Sequence, residues 1–273
     1  KLSIFAEQIR LTLLESIASI GRGHVGGSMS IAELLAVLYG KQMHYDPNTP
    51  DCEDRDWLVV SKGHAGPAVY SALSLSGFFP KEKLLTLNRG GTNLPSHCDR
   101  NRTIGVDMTT GSLGQGASLA AGVAKAFQLF DKPNTVYLVL GDGELNEGQV
   151  WEMALFAAHQ KLSNLIAFVD KNGMQLDGRT EEICDLGDVA QKFRSFGWKA
   201  MSVDGHDVES IDSAINLARA VQDSPTVIVL NTVKGKGWSG SEGKLSSHSM
   251  SVSAEQLNSA RDEINKRIEA YES

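Results

Sequence analysis

The stretch Thr135-Val-Tyr-Leu-Val-Leu-Gly-Asp-Gly-Glu-Leu-Asn-Glu-Gly148, with its continuation Leu165-Ile-Ala-Phe-Val-Asp-Lys-Asn-Gly-Met174, decides the fold. Thr135 to Leu140 is an apolar run without polar alternation, the pattern of a buried parallel strand. It stops at Gly141-Asp142-Gly143. From Gly148 to about Lys161, Val150, Trp151, Ala154, Leu155 and Ala158 recur at helical spacing. A second apolar run, Leu165 to Val169, ends at Asp170-Lys171-Asn172-Gly173. Strand, crossover helix and strand predict two parallel neighbours. Asp142 and Asn172 then lie side by side, just past the carboxyl ends of adjacent strands. Open α/β sheets bind ligands there.

Glycines at 141, 143 and 148 suit a close backbone approach to phosphate, although their spacing is not that of the dinucleotide fingerprint. Asp142, Glu144 and Glu147 crowd the same turn and would repel a bare phosphate. A divalent cation reverses that sign. One carboxylate, one amide oxygen and the backbone carbonyl of Met174 are hard oxygen ligands of the kind Mg²⁺ takes, with phosphate oxygens and water completing an octahedron. The plain alternative is a solvated acidic turn with no metal. The Asn-Gly pair closing the next apolar run favours the metal–diphosphate site.

Gly141-Asp142-Gly143, an intervening helix and Asn172 together resemble the thiamine diphosphate signature, and Gly141 to Glu152 is similar to transketolase in particular. The resemblance runs over nearly the whole chain. It implies an α/β fold, a parallel sheet sandwiched by helices, with residues 1–273 forming a single domain of the diphosphate-binding type.

Bulk properties agree with such a domain. A chain of 273 residues, 41% hydrophobic, can bury a substantial core as one large α/β domain. Its net charge of −7 argues against a general nucleic-acid surface. Cys52, Cys98 and Cys184 have no metal-ligand spacing and are too few for a disulfide scaffold, so a reduced, cytoplasmic chain is expected. No apolar run is long enough to span a membrane, and the first helix carries Glu7, Arg10 and Glu15, unlike a secretory signal.

In chain order, a helix over about Ser3–Ile20 places Ile9, Leu13, Ile17 and Ile20 on one stripe. A glycine-rich loop, Gly21 to Ser28, precedes a helix for which Ser30 and Glu33 predict a capping box. Such a loop is either a plain connection or a seat for a polar ligand. The resemblance decides: His24 matches the histidine that faces the substrate, and Gly27 belongs with the cofactor contacts. Trp57 to Ser61 reads as another buried strand, with Pro67 in the first turn of a helix over Ala68–Gly77. Ser61-Lys-Gly-His-Ala-Gly-Pro67 is similar to the transketolase segment whose lysine and histidine, here Lys62 and His64, approach the diphosphate. Residues 79–102 are loop-like with one short helix. Leu94-Pro-Ser-His97 resembles the third active-site histidine, with Cys98 where the family often has proline, an accessible thiol. Gly111 to Gly116 opens an alanine-rich helix over 117–130. The family places cofactor contacts at Gly111, Ser112 and Leu113, and at Gly143 in the central turn.

Beyond the central unit the pattern predicts a helix over 189–196, strands at 201–204 and 226–231, and a helix over 210–221. A Gly/Ser-rich loop then runs from Lys234 to His248, read as a mobile active-site cover. Transketolases carry a lysine and a histidine at these two places. An amphipathic helix over 254–271, capped at its start, favours a natural chain end. His44, His159 and His206 read as structural or solvated.

The resemblance implies ketol transfer from a ketose phosphate to an aldose phosphate, the chemistry of the pentose phosphate pathway. It puts Mg²⁺, with Ca²⁺ or Mn²⁺ able to substitute, on Asp142, Asn172 and the Met174 carbonyl. Lys62, His64 and Lys234 would add charge or hydrogen bonds at the diphosphate. His24, His97 and His248 would orient substrate and exchange protons, and Glu147 would meet the partner domain. The glutamate that activates the aminopyrimidine belongs to a pyrimidine domain with no counterpart here. A second subunit carrying the pyrimidine and carboxyl-terminal domains is therefore expected, in a heterotetramer. Three rivals stand beside this reading: a split enzyme for an unusual sugar phosphate, a domain like that of deoxyxylulose-phosphate synthase, and a non-catalytic cofactor-binding subunit.

Overall fold

Four apolar runs and one more polar edge strand pair into one parallel sheet in the computed structural model, which describes residues 1–273. The chain begins with α1 (Leu2–Ile20), a two-residue β1 (Arg22–Gly23), and the short helices α2 (Gly26–Met29) and α3 (Ala32–Val37). There follow β2 (Trp57–Val60), α4 (Gly66–Leu75), α5 (Gln115–Leu129), β3 (Val136–Gly141), α6 (Gly148–His159) and β4 (Leu165–Lys171). The remainder is α7 (Thr180–Ile183), α8 (Val189–Ser195), β5 (Lys199–Asp204), α9 (Val208–Arg219), β6 (Thr226–Asn231), β7 (Met250–Ser251) and α10 (Ala254–Glu272). The sheet order is β2-β3-β4-β6-β5, all parallel.

Alternate strand residues face opposite helix layers. Tyr137, Val139, Ile166, Phe168, Ile228 and Leu230 share a core with α1, α3, α4, α9 and α10. Val136, Leu138, Leu140, Leu165, Ala167, Val169, Val227 and Val229 share the other with α5, α6 and α8. Both faces are dry, which is why the central runs show no polar alternation. The register sets Gly141 opposite Asp170. The turns after β2, β3, β4 and β6 consequently meet at one edge. Helix and strand limits fall within two residues of those predicted, and Pro67 occupies the first turn of α4.

The capping box at Ser30 does not form. Ile31 precedes α3 without any side-chain cap. The Ser30 hydroxyl instead donates to Asp170 Oδ2 at 2.7 Å, and Glu33 accepts from Arg10 Nη2 at 2.6 Å. Magnitudes explain the choice. A cap is worth about 1 kcal/mol, whereas breaking a buried ion pair costs roughly 3–5 kcal/mol. Arg10, wholly buried, also donates to Glu7 Oε1 at 3.1 Å and to the Lys236 carbonyl at 2.9 Å. Arg267 of α10 reaches Glu7 Oε2 at 3.0 Å.

This network anchors the segment after β6. Residues 234–248, expected as a mobile loop, are anchored at several points: Trp238, Ser241 and Ser247 are buried, and the Gly235 amide donates to the Gly26 carbonyl at 3.0 Å, while 243–246 lie exposed. A β-carbon on Gly26 would collide with Ser247 Oγ, so only glycine allows this approach. The segment ends in a 3₁₀ turn, Leu245–His248, and then β7, which pairs antiparallel with β1. His206 serves the same anchoring: Nδ1 lies 3.2 Å from Glu33 Oε2, and Nε2 accepts from the Val233 amide at 2.8 Å. No helix is long and apolar enough to cross a membrane.

Candidate active site

A cavity of about 340 Å³ lies at the carboxyl edge of the sheet. It is lined by every site residue named from the sequence except Ser112 and Glu147, both of which are exposed. Four imidazoles converge in it. His24 is central, with ring centroids 5.6 Å from His64 and 5.5 Å from both His97 and His248. His64 and His248 are 5.2 Å apart. Burial depresses all four, and for His24, His64 and His248 neighbouring imidazoles and lysines add to the effect. His248 falls to about 4, and His64, facing Lys62, well below its ordinary value. For His24 the further contributors are His97 and Lys234; for His97 burial is the cause. The direction is the same for each, toward the neutral imidazole, whose ring offers one donor and one acceptor.

Beneath the histidines lies a hub the sequence reading did not assign. Asp170, fully buried at the end of β4, accepts from Lys62 Nζ at 2.6 Å, Ser30 Oγ at 2.7 Å and Asn172 Nδ2 at 2.9 Å, and from Thr232 Oγ1. Burial alone would raise its carboxyl, but the Lys62 charge and these donors hold it below the usual carboxylate range. Lys62 Nζ also donates to the Gly27 carbonyl at 2.6 Å. No local signal marked Asp170, because a carboxylate ending a strand acquires this role only when three other segments, bearing Lys62, Ser30 and Thr232, bring donors to it.

The three acids of the central turn separate. Asp142 is buried, accepting from the Gly143 amide at 2.9 Å and the Gly173 amide at 2.6 Å. Burial, with Asp170 nearby, pushes its carboxyl up to about 6. Glu144 also lines the cavity, but both its oxygens are committed, accepting from the Gly114 amide at 2.8 Å, the Gly141 amide at 3.0 Å and the Ser61 hydroxyl. It is a brace between loops, and Gly114, at φ +83°, adopts the left-handed geometry that aims its amide there. Glu147 is exposed on the rim. Of the expected crowd of three acids, Asp142 and Glu144 line the cavity, the latter as a tie-point, and Glu147 is a surface group.

Asn172 has its amide orientation set by Asp170: Nδ2 is committed there, while Oδ1 accepts from the Met174 amide at 3.1 Å. Lys234 Nζ lies 3.4 Å from the Met174 carbonyl and 3.3 Å from His248 Nδ1. Burial and the Lys62 charge bring Lys234 down to about 8. The turn after Met174 adds Gln175, Leu176 and Asp177 to the lining, residues with no motif to flag them. Tyr70 of α4 donates to the His97 carbonyl at 3.0 Å and is within 2.9 Å of the Pro95 carbonyl, holding the His97 loop. Cys98 is not accessible. It is buried, and burial pushes its thiol up to about 12.

Comparison with known proteins agrees with this geometry. Residues 3–269 match the family described as transketolase, thiamine diphosphate binding domain. The chain is 54% identical over 261 residues to the 6-deoxy-6-sulfo-D-fructose transketolase subunit of Clostridium sp. (strain MSTE9), covering 96% of this chain and 95% of that one. It is 34% identical over 271 residues to an apulose-4-phosphate transketolase subunit of Phocaeicola vulgatus, covering 99% and 96%. The crystal structure of a transketolase mutant from Pichia stipitis superimposes with a TM-score of 0.92 at 31% identity, over 97% of this chain and 40% of that one. The chain belongs to the transketolase family, as a thiamine diphosphate-binding member. Its reaction class is thiamine diphosphate-dependent ketol transfer. It spans nearly the full length of the two subunits and about two fifths of the Pichia chain.

Proposed function

We propose that this chain, residues 1–273 acting as one domain, is the diphosphate-binding half of a two-chain transketolase. A second subunit carries the pyrimidine and carboxyl-terminal domains, and the pairs assemble as a cytoplasmic heterotetramer. The observation that carries the reading is one of charge. Lys62 is paired with Asp170, whereas buried Lys234 has no carboxylate partner and faces the same cavity as the desolvated Asp142, so the lysine calls for an anion and the carboxylate for a cation. A diphosphate with its metal satisfies both.

Asp142, Asn172 through Oδ1 and the Met174 carbonyl would hold Mg²⁺, or Ca²⁺ or Mn²⁺ in its place, because all three are hard oxygens. Lys62, Lys234 and His64 serve the diphosphate, and Gly27, Gly111, Ser112, Leu113 and Gly143 allow its close approach. When bound, the cofactor supplies the nucleophilic carbon and the electron sink for carbon–carbon cleavage. His24, at the centre of the imidazole cluster, orients substrate oxygens together with His97 and His248 and passes protons to and from them. Glu147, exposed on the rim, meets the partner domain. The 54% identity with the sulfo-fructose subunit favours a ketose ending in a sulfonate as donor. A ketose phosphate from the pentose phosphate series is the second reading, supported by the similarity to the apulose-4-phosphate subunit.

Titrating the reconstituted complex with thiamine diphosphate, with and without Mg²⁺ after chelation, tests the site. Affinity should fall on chelation, and Asp142→Ala should reproduce the loss in the presence of metal. Equal affinity throughout would remove the metal from the proposal.

A further inference from the structure

Lys234 is a buried cation in the cofactor cavity, and no acid holds its head. Nζ has the Met174 carbonyl at 3.4 Å and His248 Nδ1 at 3.3 Å, whereas Lys62 is tied to Asp170 at 2.6 Å. Where the Lys234 ammonium stands is therefore set from the other end of the side chain, by the backbone. A residue that fixes this backbone places a charge in the site without lining the cavity.

The backbone is clamped on both sides. After Lys234, the Gly235 amide donates to the Gly26 carbonyl at 3.0 Å. Before it, the Thr232 hydroxyl donates to Asp170, and the Val233 amide donates to His206 Nε2 at 2.8 Å. His206 belongs to the turn after β5, the one turn at this sheet edge that adds nothing to the cavity lining. Because Nε2 accepts from a backbone N–H, the ring proton is on Nδ1, which faces Glu33 Oε2 at 3.2 Å. Glu33 is fixed in turn by buried Arg10. Arg10, Glu33 and His206 thus form a chain that ends on the amide of the residue before Lys234. Gly205 lets the turn close, since a β-carbon there would strike Thr232 Cγ2. The His206 amide donates to Asp204 Oδ1 at 2.8 Å and holds the turn in shape.

We propose that His206 is a positioning residue for the diphosphate: Nε2 fixes the Val233 amide and thereby the place of the Lys234 ammonium. The inference rests on the assignment of Lys234 to the diphosphate above. The two ring nitrogens have separate tasks, and two amide side chains divide them. A glutamine amide reaches about as far as Nε2, and its oxygen accepts from Val233. An asparagine amide reaches only about as far as Nδ1, so it keeps a donor for Glu33 and loses Val233. Neither leaves Glu33 unpaired, because Arg10 stays beside it.

The test measures the Kd of thiamine diphosphate by calorimetry, with Mg²⁺, on this chain complexed with its partner subunit. The variants are His206→Gln, His206→Asn, Lys234→Ala, and His206→Asn combined with Lys234→Ala. His206→Asn should weaken binding roughly threefold to tenfold, the usual worth of a neutral hydrogen bond. His206→Gln should recover most of that loss. Lys234→Ala should weaken binding further, and adding His206→Asn to it should change nothing more, since the two act as one unit. A role in stability alone would instead give the same loss from His206→Asn in either background. Additive losses, equal Kd values for the glutamine and asparagine variants, or an unchanged Kd with His206→Asn overturns the positioning role. An unchanged Kd with Lys234→Ala overturns the assignment of Lys234 to the diphosphate, and the inference with it.

Discussion

His24 has three imidazoles within 5.6 Å of its ring, whereas His64, equally half-buried, lies against Gly27 and Lys62. The two should fail differently. His24→Ala removes a group placed to handle protons at the substrate, a role worth about a hundredfold or more in rate. His64→Ala removes a group at the diphosphate, where a hydrogen bond to charge is worth roughly 1.5–3 kcal/mol of binding. Turnover at saturating cofactor and the cofactor Kd, measured for both variants in the assembled enzyme, separate the cases. The expected result is a large fall in turnover with near-normal cofactor affinity for His24→Ala, and weakened affinity as well as turnover for His64→Ala. The reverse pattern would exchange the two assignments.

At the scale of the element, the segment from Lys234 to His248 carries two groups into the site, yet it contains no long regular structure. It is anchored by Trp238, buried in the main core, and by the Arg10 network. Replacing Trp238 by alanine opens a core cavity and should cost about 3–5 kcal/mol, read as a lowered denaturant midpoint. Because Lys234 and His248 depend on the same anchor, cofactor affinity should fall too. A stability loss that leaves affinity untouched would show that the anchor and the site are uncoupled. The sequence reading took this stretch for a mobile cover because glycine and serine dominate it. The tryptophan and the distant arginine that hold it become partners only in the folded chain.

For the molecule as a whole, α5 and α6 pack together and leave Leu119, Leu155 and Phe156 exposed, while Leu113 and Leu176 stand exposed on the cavity rim. Large apolar side chains around an active-site opening are what a partner subunit covers. The purified chain should show no ketol transfer alone and should gain it when a subunit with a pyrimidine domain is added. Coupled assays over a titration of that subunit, with saturation at a fixed ratio, check this. A normal rate from the single chain would reject the two-chain assignment.

The amino-acid order by itself determined the layered parallel sheet, because dry strands must be apolar on both faces and crossover helices must repeat every third or fourth residue. It also placed Asp142 and Asn172 together, since strand, helix and strand leave little choice of register. The histidines were legible as motifs, but not as a cluster: His24, His64, His97 and His248 come from four loops whose meeting depends on the sheet edge they share. Only the tertiary structure decided where the charges went. Ser30 and Glu33 have the spacing of a cap, yet a buried lysine–aspartate pair and a buried arginine claimed them, because an unpaired charge in the core costs more than a helix end gains. Asp170 as hub, Glu144 as brace and His206 on the Val233 amide are facts of the same kind. Each is set by which distant groups arrive, and local sequence does not encode arrivals.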